Sequence, residues 1–201
     1  MKLFSSNASP YVRKVRVLIR EAGLTDRVTE MPTTTTLLQS DPALVAANPL
    51  ARVPSLSRDD GPTLYDSRVI CRYLDMKAGG GFYPEARLWD VLTIEATADG
   101  ILDSAVTGIA YEKRLRPPEK VMEEWIDGHW AKIARAVKVV NDRWMSHLAG
   151  PVDMGQIALG CALGYLDFRH DQYGWRKDCD ALADWYAKFA ERDAMVATAP
   201  A

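Results

Sequence analysis

The chain has 201 residues and a mass of 22.4 kDa, with 48% hydrophobic and 26% charged residues, enough for one large domain or two small ones with a core that needs no staple. This balance excludes disordered and fibrous proteins, and 25 basic against 27 acidic residues, with no Lys/Arg block to follow phosphates, excludes nucleic acid as a partner. No apolar run reaches the roughly 18 residues of a membrane span, and Met1 to Ser5 lack the apolar stretch of a secretory signal, so that none is expected, while Cys71, Cys161 and Cys179, widely spaced and odd in number, suit a reducing compartment. A cytoplasmic protein without membrane contact is expected.

Lys2 to Ser5 reads as a short strand. Ser9-Pro10 then supplies an N-cap and a first helical position, followed by Val12, Val15, Leu18, Ile19 and Ala22 on one face and Gly23 as the stop. Arg27 to Met31 alternates as a second strand, and a short helix is expected over Pro42 to Ala47. Val53 to Ser57, a turn at Asp59-Asp60-Gly61 and Thr63 to Tyr65 read as an antiparallel hairpin, with Pro54 at its first strand's start. Asp66 caps a third helix carrying Val69, Ile70, Tyr73 and Leu74 and ending near Lys77. Gly79-Gly80-Gly81 marks a domain boundary.

Beyond Glu85 the pattern is helical throughout, broken at Arg116-Pro117-Pro118, at Gly150-Pro151 and over 170–177. Asp153 with Gln156 three residues on, before Ile157, Ala158 and Leu159, is a capping box, and Val152 can staple onto Ile157. The expected architecture is therefore an α/β thioredoxin-like domain with a mixed four-stranded sheet over residues 1–78, and an all-α domain over 85–201.

Three segments carry the functional reading: Ser9-Pro10-Tyr11 at the first helix, Asn48-Pro49-Leu50-Ala51-Arg52-Val53-Pro54-Ser55-Leu56 before the hairpin, and Asp66-Ser67-Arg68-Val69-Ile70 at the third helix. In this order, and followed by a helical domain opened by a capping box, they resemble the glutathione-binding domain of cytosolic glutathione transferases. The stretch from Ile157 to Arg169 is similar to a bacterial subgroup of that family. The resemblance implies glutathione as co-substrate with no metal or other cofactor, and a two-fold homodimer with Arg68 at its contact.

Glutathione offers two carboxylates, an ammonium and a thiol, and each has a candidate partner. The helix start at Asp66-Ser67 suits the γ-glutamyl carboxylate through the Ser67 hydroxyl and free N–H groups, with Asp66 for the ammonium. The backbone of Val53 suits the cysteinyl segment as an added strand, and the resemblance implies a cis Val53-Pro54 bond. Arg52 is a candidate for the glycyl carboxylate. A thiol with pKa about 8.5 is only ~3% thiolate at pH 7, and lowering it by two units needs about 2.7 kcal/mol. The Ser9 hydroxyl and the N-terminus of the first helix are placed to supply this, as the Ser of a Ser-Pro-Phe/Tyr sequence does in the serine-type enzymes it resembles. Ser9 is equally explained as a helix cap, and Ser5, Ser6 and Asn7 are its neighbours for the same role. With no Cys there, conjugation is favoured over thiol exchange.

Tyr11, Tyr111 and Arg114 are candidates for the pocket of a small hydrophobic electrophile, expected in a cleft between domains. Among the three histidines no metal-ligand spacing appears, the three cysteines are read as buried small hydrophobes, and Trp125, Trp130, Trp144 and Trp185 as filling the helical core. The expected activity is a detoxifying glutathione transferase. The alternative is a glutathione-binding or interaction protein of the same fold without catalysis.

Overall fold

Four short strands form one mixed sheet, in the order β2-β1-β3-β4, in a computed structural model that describes residues 1–200. β1 (Lys2–Ser5) pairs parallel with β2 (Thr29–Pro32) and antiparallel with β3 (Ser55–Arg58), which pairs antiparallel with β4 (Gly61–Leu64). The helices of this part are α1 (Pro10–Glu21), α2 (Pro42–Ala47) and α3 (Ser67–Ala78), so the expected thioredoxin-like order is present. α1 packs along α3, and both α2 and α3 lie against β3. Their core is apolar, built on Leu3, Val12, Val15, Leu18, Leu44, Leu56, Ile70 and Leu74, all fully buried.

Three strands differ in their bounds from the sequence pattern, the last hairpin strand running over Gly61–Leu64, so that it takes in the glycine of the expected turn and stops before Tyr65. The second strand begins at Thr29 rather than Arg27, because Thr25–Arg27 close a single 3-10 turn. It ends on Pro32, tolerable because β2 is an edge strand. The first hairpin strand starts at Ser55, so Val53 and Pro54 precede it rather than belong to it. The Val53–Pro54 bond is cis, and so is Tyr65–Asp66.

The chain forms two compact units, Arg87–Arg192 being the second and the first comprising Met1–Ala86 with residues 193–200. The helical domain expected through residue 201 is thus corrected at its end. Arg13 of α1 donates from Nη2 to the Met195 carbonyl at 3.1 Å, and a short terminal helix, Asp193–Val196, packs on α1.

The second unit is helical. α4 (Leu88–Leu102) runs through a π-helical stretch, Asp103–Ala110, into α5 (Tyr111–Leu115). Then come α6 (Glu123–Arg143), α7 (Met145–Leu148), α8 (Met154–His170) and α9 (Asp180–Ala190), with α8 against α4 and buried along most of its length. A π stretch displaces backbone hydrogen bonds, and here two carbonyls within it take side-chain donors: Trp125 Nε1 donates to Gly108 O at 2.9 Å and His170 Nε2 to Ala105 O at 3.0 Å. Gly108 is required by close approach, since a Cβ there would run into the His129 ring. Trp125 is therefore a half-exposed donor and not the core residue expected, while Trp175 is 5% exposed and more deeply buried. All three cysteines are buried, and none forms a disulfide among the described residues.

Asp153 caps α8, accepting from Gln156 N at 3.2 Å. The reciprocal half of the expected capping box is replaced. The Gln156 amide turns into the preceding loop and donates to the carbonyls of Pro151 at 3.0 Å and of His147 and Gly150 at 3.4 Å. Fully buried Asp153 Oδ2 meets His147 Nε2 at 2.8 Å and Arg87 Nη2 at 3.6 Å. Removing this carboxylate strands two polar partners as well as the cap, so Asp153→Ala should cost about 3 kcal/mol, above the ~2 kcal/mol limit of a simple N-cap loss. Denaturant unfolding followed by tryptophan fluorescence measures it. His170 gives a pH dependence. Burial lowers its pKa from the ordinary 6.5, with Lys113 and Arg169 adding to the effect and the Ala105 bond opposing it. The unfolded chain then takes up the proton first, so stability present above about pH 6.5 declines as the pH falls below it. His170→Gln should flatten the slope of melting temperature against pH in that window.

Candidate functional site

The register of the sheet decides where the candidate residues go. Phe4 faces Ser55 and Leu56 faces Leu64, so the end of β1, the start of β3 and the end of β4 lie at one end of the sheet. From that end the chain continues into the Ser9 turn, arrives from Val53-Pro54, and continues into Asp66-Ser67. Strand pairing alone thus gathers the Ser9 turn with two segments more than forty residues further along the sequence.

Ser9 is the N-cap of α1, its Oγ accepting from Val12 N at 3.3 Å, and its own N–H donates to Ser6 O at 3.1 Å. A hydroxyl that accepts still has its proton to donate. Capping and donation to a sulfur are therefore compatible in one side chain. Ser5 is buried within β1, whereas Ser6 and Asn7 form the turn before the cap.

The approach to Val53 is built by a residue to which the sequence pattern assigns no role. Asn48, 1% exposed, donates from Nδ2 to Ser55 Oγ at 2.9 Å and to Arg52 O at 3.1 Å, and its Oδ1 accepts from Leu50 N at 2.9 Å. Ser55 Oγ in turn donates to Arg52 O at 2.9 Å. These bonds fix the loop from both sides, and Ala51 within it takes a positive φ of 49°. Beyond it, no described residue hydrogen-bonds to the N–H or C=O of Val53, which stand open as a strand edge would. The Arg52 side chain is exposed. Nothing in Asn48-Pro49 as a sequence announces a buried organising amide.

Asp66 caps α3, with Oδ1 accepting from Arg68 N at 3.1 Å. Its carboxylate also holds the Arg68 guanidinium, Oδ2 to Nη2 at 2.9 Å. Burial pushes the Asp66 pKa up, but the Arg68 hydrogen bonds and charge, with a smaller contribution from Lys14, outweigh it and bring the pKa below 3.8. Asp66 is thus ionised at neutral pH, and an incoming ammonium would share it with Arg68. Ser67 is 3% exposed, and its hydroxyl has no partner among the described residues. With the unpaired N–H groups of the first turn of α3 it makes a site suited to a carboxylate.

In the helical unit, Tyr111 opens α5 and Arg114 lies one turn on, past the π stretch that interrupts the helical pattern expected up to Arg116. One neighbour is not marked by the sequence pattern: Tyr165, 6% exposed on α8, which is electrostatically linked to Tyr111 and Arg114 and to Arg169 one turn further on its own helix. Tyr11, the second residue of α1, belongs to the first unit. Among the described residues no group of three or more His, Cys, Asp or Glu is placed to hold a metal ion.

A thioredoxin-like sheet that gathers a capped serine, an open strand edge beside a cis proline bond and a polar helix start, joined to a helical unit, defines a glutathione S-transferase fold. Comparisons with known proteins agree. The family models "Glutathione S-transferase, N-terminal domain" and "Glutathione S-transferase, C-terminal domain" match residues 8–77 and 123–188. The chain is 31% identical to the uncharacterized GST-like protein YibF of Escherichia coli K12, over 100% of this chain and 98% of that one. Two crystal structures of a glutathione transferase family member from Pseudomonas fluorescens Pf-5 are also similar. The one with glutathione bound is 44% identical with a TM-score of 0.96, covering 100% of this chain and 98% of that one. The one with S-(propanoic acid)-glutathione bound is 43% identical with a TM-score of 0.92, covering 100% of both. The chain belongs to the glutathione S-transferase family.

The Asp66–Arg68 pairing is directly testable. In Arg68→Ala the guanidinium that helps hold the Asp66 pKa down is gone, so the carboxyl resonance of Asp66 should titrate at higher pH by NMR than in the natural protein. An unchanged midpoint would mean that Arg68 does not set it.

Proposed function

We propose that this chain is a glutathione transferase of the bacterial serine type, which stabilises the glutathione thiolate for attack on an electrophilic carbon. The observation that supports this best is the set of uncommitted hydrogen-bonding groups at one end of the sheet: the Ser9 hydroxyl proton, the Val53 N–H and C=O, and the Ser67 hydroxyl. They match the sulfur, the cysteinyl backbone and the γ-glutamyl carboxylate of glutathione in number and kind. Glutathione bound in the 44% identical Pseudomonas fluorescens structure supports the same ligand here.

In this reading the tripeptide adds to Val53 as a short strand, with Pro54 fixing the direction of the chain. Ser67 and the α3 N-terminus take the γ-glutamyl carboxylate, Asp66 the ammonium, and Arg52 the glycyl end. Ser9 donates to the sulfur while continuing to cap α1. The thiol proton passes to solvent, and the sulfur forms a bond to carbon as the leaving group departs with its electron pair, or adds to a conjugated double bond. Tyr11, Tyr111 and Arg114 are assigned to the electrophile. The S-(propanoic acid) conjugate in the other Pseudomonas fluorescens structure is a thioether of the kind this reaction makes. A homodimer working in cytoplasmic detoxification completes the proposal, and three buried cysteines outside any disulfide suit that reducing location.

The occupied lone pair of Ser9 favours one second reading, a glutathione binder in which Ser9 is a cap and nothing more. One comparison separates the two: ultraviolet thiolate absorbance of bound glutathione at neutral pH in the natural protein and in Ser9→Ala. Activation by Ser9 predicts a thiolate signal lost in the variant while glutathione still binds, with kcat/KM toward an electrophile falling by about a hundredfold, as for loss of one oxyanion-type donor. Binding without ionisation, or equal ionisation in both, leaves Ser9 as a cap.

A further inference from the structure

The Val53 N–H shares a peptide unit with the Arg52 carbonyl. That unit is trans, so its N–H and C=O lie in one plane and point in opposite directions. Whatever holds the Arg52 oxygen therefore aims the Val53 N–H. Two side chains hold it, Ser55 Oγ donating at 2.9 Å and Asn48 Nδ2 at 3.1 Å. They are also joined to each other, since Asn48 Nδ2 donates to Ser55 Oγ at 2.9 Å, and they are 1% (Asn48) and 0% (Ser55) exposed. Ser55 is the first residue of β3 and pairs with Phe4 of β1, so its hydroxyl carries the position of the sheet into the loop. One peptide earlier, the Ala51 carbonyl accepts from Thr35 Oγ1 at 3.2 Å. The positive φ of Ala51, 49°, is unfavourable for a residue with a Cβ, so the loop depends on these side-chain bonds to keep its shape.

We propose that Ser55 and Asn48 are positioning residues for glutathione: by holding the Arg52 carbonyl together they aim the Val53 N–H at the cysteinyl carbonyl of the tripeptide and strengthen it as a donor. This rests on the reading of the chain as a glutathione transferase. Being buried, neither side chain reaches the ligand, and both act through a single peptide plane. Two hydrogen bonds accepted by a carbonyl polarise its amide, and the N–H at the other end of that amide donates more strongly as a result. The aim is set before the ligand arrives, so binding is spared the cost of ordering this segment. An apolar pair of the same shape would fill the space equally well, but it would leave the Arg52–Val53 peptide free to turn.

The test titrates the full-length protein calorimetrically with two ligands, glutathione and an analogue in which a trans carbon–carbon double bond replaces the cysteinyl–glycine amide. The analogue lacks the carbonyl that the Val53 N–H would meet, so the natural protein should bind it more weakly than glutathione. Ser55→Ala deletes one oxygen and should weaken glutathione by about tenfold, the scale of one hydrogen bond, while leaving affinity for the analogue almost unchanged. Asn48→Asp keeps the shape but turns a donor into an acceptor facing the Arg52 oxygen, and should show the same selectivity with a larger factor; if it does not fold, Ser55→Ala decides alone. A merely structural role would weaken both ligands alike, so the ratio of the two affinities isolates the coupling. Equal losses for the two ligands, or no loss in Ser55→Ala, overturn the positioning role and leave the transferase reading intact. Equal binding of the two ligands by the natural protein overturns it as well. If the natural protein binds no glutathione, the transferase reading fails and the positioning role with it.

Discussion

The pairing of β1 with β3 in one antiparallel register is the constraint on which the candidate site depends. A strand's side chains alternate in direction, so a slip of one residue would turn every core-facing group outward. Leu3 opposite Leu56, both fully buried, resists that slip. The same register places Phe4 against Ser55, and the Ser9 turn, the Val53 edge and the Asp66 cap are carried to one end as a result. The polar groups are thus positioned by apolar packing. The loop hydrogen bonds of Asn48 then refine what the sheet has already gathered.

Much of this arrangement is legible in the residues themselves. Helix starts are the clearest feature, because Ser9-Pro10, Asp41-Pro42, Asp66 and Asp153 each put a side-chain acceptor just ahead of a helical pattern, and all four are caps in the structure. Strand ends are less legible, since Thr25-Asp26-Arg27 has a composition that fits a turn or a strand and only pairing with β1 decides. The cis bond at Pro54 follows from family likeness and not from local chemistry, because most X-Pro bonds are trans. The role of Asn48 is hidden because it lies in being buried, which a polar residue in a Pro-containing loop does not advertise. Tyr165 is hidden for the opposite reason. It lies in a segment so apolar that it reads as core alone.

In the helical unit, backbone irregularity and side-chain chemistry are matched. The π stretch from Asp103 to Ala110 would leave carbonyls unsatisfied in an apolar interior, a cost of about 1 to 3 kcal/mol each. Donors from α6 and α8 meet two of them, and Gly108 allows the His129 ring to come close. Histidines with no assigned ligand-binding role are therefore structural. Burial favours the neutral form of His170, whose remaining N–H is enough to donate to Ala105. His147 serves the other end of α8 through the buried Asp153 carboxylate.

The return of the chain from Asp193 to the first unit bears on how the protein is made. A ribosome releases the thioredoxin-like residues first, and early domains ordinarily fold while the remainder is still being synthesised. Here the carbonyl that receives the Arg13 guanidinium belongs to Met195, so α1 acquires that partner only after residue 195 has left the exit tunnel. The helix capped by Ser9 gains this partner late although it is translated near the beginning, which couples full packing of the first unit to synthesis of the segment that follows the helical unit.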